Sequence, residues 1–71
     1  MADLATDAQR WTIFELFGHF GITETEQIRA DAQRILKLDY LPDLREMTRA
    51  DADDLIAELR RALAAERVSD E

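Results

Sequence analysis

The side chains with the means for chemistry are few. Three carboxylates, Asp51, Asp53 and Asp54, stand close enough in the sequence to suggest a cation site. A calcium loop, however, needs a glycine at its sixth position and a glutamate at its twelfth. Counted from Asp51, those positions hold Ile56 and Ala62. Neighbouring residues on a helix also point about 100° apart, so these acids do not converge easily. Their plainer role is to favour the positive end of a helix dipole. His19 is the only histidine and sits beside two phenylalanines. A general base needs an orienting partner or nucleophile and a zinc site needs further ligands, and no spacing suggests either. The absence of cysteine removes disulfides, thiolate metal sites and thiol catalysis together. The only glycines are Gly18 and Gly21, so no glycine-rich phosphate loop is present. The expectation is a chain with no catalytic residues, metal or cofactor of its own.

Surfaces for binding are the alternative. Asp51, Asp54 and Glu58 form an acidic set suited to a basic protein partner. Arg29, Gln33 and Lys37 share one helical face with Arg34 beside them, and Arg60, Arg61 and Arg67 come late in the chain. If these ends meet in space they make a positive patch for a phosphate backbone. The simpler expectation is a solvated face with intrahelical pairs such as Glu58 with Arg61, each worth a few tenths of a kcal/mol. Overall charge argues the same way. Sixteen acids against nine bases leave −7, and the excess is spread along the whole chain. Nucleic-acid binding draws most of its affinity from phosphate neutralisation, which an evenly acidic domain supplies poorly.

Trp11, Phe14 and Gly18 follow a stripe offset from Ile13, Phe17 and Phe20. A helix apolar on two sides is either sandwiched in a core or presents an anchor to a partner. In so small a protein aromatics commonly wrap the core. If they do not, Trp11 and Phe14 are residue types favoured at the centres of interfaces.

The elements that position these residues follow from caps and periodicity. Thr6 and Gln9 have capping-box spacing, and Ile13, Leu16, Phe17 and Phe20 share one face, which predicts a helix over 7–20. Gly21 suits the left-handed position after it, with Ile22 folding back onto Phe17. Gly18 within the helix costs roughly 1 kcal/mol against alanine, which suggests a close packing contact there. Thr23 with Glu26 predicts a second helix over 24–37, burying Ile28, Ala32, Ile35 and Leu36, with Lys37 at the negative end of its dipole. Thr48 with Asp51 predicts a third over 49–66, burying Ala52, Leu55, Ile56, Leu59 and Leu63, and Met47 stands where a staple to Ala52 belongs.

Between the last two helices, Pro42 argues against continuous helix. Leu38, Tyr40, Leu41, Leu44 and Met47 make the connector 38–47 so apolar that it should lie across the core, with room for a short extra turn after Leu41. The fold class is therefore all-α, a compact three-helix bundle in one domain over 1–71, with residues 1–5 and 68–71 expected to be flexible. A chain this short has a thin core. No apolar run is long enough to cross a bilayer, and residues 1–4 lack the features of a signal peptide, so the expected location is the cytoplasm.

Thr6 to Gln9, Ile13-Phe14-Glu15-Leu16-Phe17, Gly21-Ile22, Met47-Thr48-Arg49-Ala50-Asp51-Ala52 and Leu55-Ile56-Ala57-Glu58-Leu59 together resemble a short helical module. Such modules occur in phage and actinobacterial proteins, some linked to single-strand annealing recombinases and other DNA-processing factors. Their closing phrase runs leucine-threonine, base, any residue, acid-alanine, then a leucine-isoleucine pair and a final leucine. Here Met47 replaces the first leucine, and the middle of the chain matches poorly. The resemblance implies a regulatory or accessory role beside DNA transactions and assigns no catalytic residue. Three functions stay open: a protein-binding module, a direct nucleic-acid binder using the bases named above, and a homodimerising structural module.

Overall fold

The computed structural model describes residues 3–68, with side chains described as far as Glu66. Three helices form, α1 over Asp7–His19, α2 over Thr25–Leu36 and α3 over Arg49–Val68. Both α1 and α2 pack on α3, and they have little contact with each other. Ile13, Phe17, Ile28 and Leu55 are the largest fully buried side chains. Removing each from water contributes about 1.5–3 kcal/mol. Leu16, Ala32, Ala52, Ile56 and Leu59 complete the stripes expected from periodicity, while Phe20, Ile35, Leu36 and Leu63 pack at the edge of the core.

The caps decide where the helices begin and end. Thr6 accepts from the Gln9 N–H at 3.1 Å, and the Gln9 Oε1 accepts from the Thr6 N–H at 2.9 Å, so the capping box is complete. At the other end of α1, the Ile22 N–H reaches the Phe17 carbonyl and the Gly21 N–H the Gly18 carbonyl, both at 3.0 Å. This is a Schellman ending with Gly21 left-handed at φ 78°. At α3 only the threonine half of the box forms, with Thr48 Oγ1 accepting from the Asp51 N–H at 3.1 Å.

Helix α2 departs from expectation at both ends. Its N-cap is Glu24, not Thr23, and no side chain caps it. The chain is pinned at Ile22 by its bond to Phe17, so the reach from there to Ile28 in the core places the first turn. Lys37 lies beyond the helix rather than in it, in left-handed backbone at φ 57°. The Leu38 N–H bonds the Gln33 carbonyl at 3.0 Å and the Lys37 N–H the Arg34 carbonyl at 3.3 Å. The pattern repeats that after α1, with lysine where glycine is usual.

The connector is apolar for two reasons. Leu44 and Met47 are buried and Leu38 half-buried, as expected, and Pro42 is buried too, whereas Tyr40 and Leu41 face outward. The short turn sits at Asp43–Glu46, where the Glu46 N–H bonds the Asp43 carbonyl at 2.9 Å and the Asp43 side chain accepts from the Arg45 N–H. The start of the chain is held as well. Ala5 donates to the Met47 carbonyl at 2.9 Å and Arg49 to that of Asp3 at 2.8 Å, an antiparallel bridge centred on Leu4 and Thr48. Residues 3–5 are thus tied to the entry of α3, with Ala5 buried, because their backbone groups find partners there. Val68, expected in the flexible tail, is instead the last residue of α3, and the remaining positions, 1–2 and 69–71, lie outside the described residues.

Candidate functional site

The second stripe of α1 points away from the core. Trp11 is 68% exposed and Phe14 38%, although the commoner fate of such aromatics in a small domain is burial. The reason is geometric. Helix α1 packs chiefly on α3, so one apolar face is used and the other is left over. Gly18 lies on the same stripe, and a methyl group built on it meets nothing within 4 Å. The close contact expected at Gly18 is therefore absent within the described chain.

Because α1 and α2 share α3 but scarcely touch, a groove opens between them. Arg10 and Phe14 of α1, Thr25 and Arg29 of α2, and Asp43, Leu44 and Arg45 of the connector line it. Phe14 and the buried Leu44 make its apolar part. Arg29 donates from Nε to the Pro42 carbonyl at 2.8 Å, tying α2 to the connector. Arg10 pairs with Asp7 and also donates to the Ala5 carbonyl at 3.1 Å. Arg45 is exposed, and its guanidinium has no bonded partner among the described residues. Beyond Arg29 a second hollow continues past Tyr40 and Leu41 to Asp51.

The charged sets of α2 and α3 do not form separate surfaces. Asp54 and Glu58 share a hollow with Lys37 and Arg61, and Asp51 shares one with Arg29. Arg61 pairs with Glu58 at 3.0 Å, as the spacing suggested. Arg34 pairs at 3.2 Å with Asp31, a carboxylate only 8% exposed that also accepts from Gln27. Asp31 was not among the residues expected inside; its only cue is glutamine four residues before and arginine three after. Arg60 is exposed, and the Arg67 side chain lies outside those described.

The aspartates of α3 point apart. Asp53 accepts from Gln9 Nε2 across the helix interface at 2.6 Å, while Asp51 and Asp54 line different hollows. No three acidic or histidine side chains come together as a metal-binding set among the described residues. His19 is exposed in the last turn of α1. No helix among the described residues is long and apolar enough to cross a membrane. Comparison with known proteins finds no matching family model, curated protein or solved structure.

Proposed function

We propose that this chain is a small acidic protein–protein interaction module, and that it docks through the outer face of α1. One observation carries this: Trp11, 68% exposed, shares an unburied stripe with Phe14 and Gly18. Leaving an indole in water forfeits its burial energy, and such aromatics anchor interfaces when a partner covers them. A glycine on the same stripe lets a partner approach the α1 backbone closely. The resemblance of the caps and stripes to phage and actinobacterial modules supports an accessory or regulatory role beside DNA transactions.

The acidic set Asp51, Asp54 and Glu58 has less support as a docking face, because Lys37 and Arg61 lie among its members. The nucleic-acid alternative has less support for the converse reason. Arg34 and Arg61 are already neutralised by Asp31 and Glu58. Homodimerisation through α3 would use Leu63, which is already half-covered by the core. The test is affinity capture from the organism of origin with wild type, Trp11→Ala and Leu63→Asp. Loss of the same partner with Trp11→Ala alone, at unchanged thermal stability, is the expected result. Recovery of identical partners by Trp11→Ala overturns the reading.

A further inference from the structure

We infer that the groove between α1 and α2 receives an acidic amphipathic helix of a partner protein. This rests on the docking reading above and adds the chemistry of the occupant. The chain carries −7 overall, yet the groove gathers three of its nine bases, Arg10, Arg29 and Arg45; Asp7 pairs with Arg10, which leaves Arg29 and Arg45 against one acid, Asp43. A positive, partly apolar furrow on an otherwise negative surface selects for acidic partners by attraction and repels basic ones. Its apolar part is the half-exposed Phe14 over the buried Leu44, and Trp11 stands one turn before Phe14 on the same helix. Leucines at helical spacing fit against Phe14 and Trp11, and carboxylates on the same peptide meet the guanidinium groups, as in helix-in-groove recognition. A phosphate backbone would use the arginines but leave Phe14 uncovered, so a peptide suits the whole groove better.

Trp11 is the only tryptophan, which makes it the reporter. The probes are two tryptophan-free peptides of about eighteen residues, with identical leucines at helical spacing and either glutamate or lysine elsewhere. The glutamate peptide is expected to shift Trp11 emission to the blue and to move the amide resonances of Arg29, Leu44 and Arg45. It should bind at least about tenfold more tightly than the lysine peptide. Arg45→Glu, which removes a guanidinium that makes no hydrogen bond or ion pair among the described residues, should weaken the glutamate peptide about fivefold or more and strengthen the lysine one.

Equal binding of both peptides with a Trp11 shift overturns the acidic preference and leaves the docking face standing. Binding of neither overturns the inference, while the capture experiment still decides the docking reading. Displacement of the glutamate peptide by oligothymidylate, lost in Arg45→Glu, assigns the groove to nucleic acid and overturns it. Sedimentation as a dimer that Arg45→Glu dissociates assigns the groove to a second copy and overturns it as well.

Discussion

Gln9 joins two helices through one side chain: its carbonyl closes the capping box of α1, and its amide donates to Asp53 of α3 at 2.6 Å. The same Nε2 also approaches the Arg49 carbonyl at 3.3 Å. The pairing is possible because residues 3–5 and 47–49 form a bridge that sets the starts of α1 and α3 side by side. Glutamate is equally good for a capping box in isolation, but it has no amide to donate.

Gln9→Glu is therefore expected to destabilise the fold by about 1–2 kcal/mol, by losing a charge-assisted bond and facing one carboxylate with another. Urea unfolding measures it. Asp53→Asn in the Gln9→Glu background should recover part of the loss, since an amide can again donate across the interface. No recovery would mean that the contact adds nothing to stability.

Trp11→Ala should change stability by no more than about 0.5 kcal/mol, as for other surface replacements. Ile13→Ala, two residues on but fully buried, should cost about 2–5 kcal/mol. A 71-residue domain has about 4–10 kcal/mol in total, so Ile13→Ala should melt far lower or fail to fold. Comparable losses in the two variants would place Trp11 in the core.

Gly18→Ala should raise stability by roughly 0.5–1 kcal/mol, because alanine is the better helix former and the added methyl has open space. If a partner backbone approaches Gly18, the same variant binds more weakly. Gain in melting temperature with loss of capture is the expected pairing; tighter capture would remove Gly18 from the contact.

Two left-handed positions should respond in opposite directions. Lys37→Gly relieves an L-residue of strain at φ 57° and is expected to stabilise by about 1 kcal/mol, less the entropy glycine adds to the unfolded chain. Gly21→Ala imposes that strain at φ 78° and should cost about 1–2 kcal/mol. Thermal melts of both variants check the signs.

How far each feature could be anticipated depends on its range along the chain. The Thr6–Gln9 box, the Schellman ending at Gly21 and the Glu58–Arg61 pair each close within five residues, and all were legible. At α2 the local signal, Thr23 with Glu26, points one residue too early: the N-cap is Glu24, and no side chain caps it. Asp31 was missed because a stripe of apolar residues carries no information about which acid its neighbours will cover.

By itself the sequence determined that there are three helices and which stripe of α2 and of α3 turns inward. Caps and periodicity are interactions among neighbours, and they do not wait for the fold. Only the tertiary structure decided whether the second stripe of α1, Trp11 and Phe14, joins the core, since helical spacing allows both stripes to be covered. Packing α1 and α2 on α3 with little contact between them buried Ile13 and Phe17, left Trp11 in water and opened the groove at Phe14. Competition between distant surfaces for one small core settles such choices, and no local spacing records its outcome.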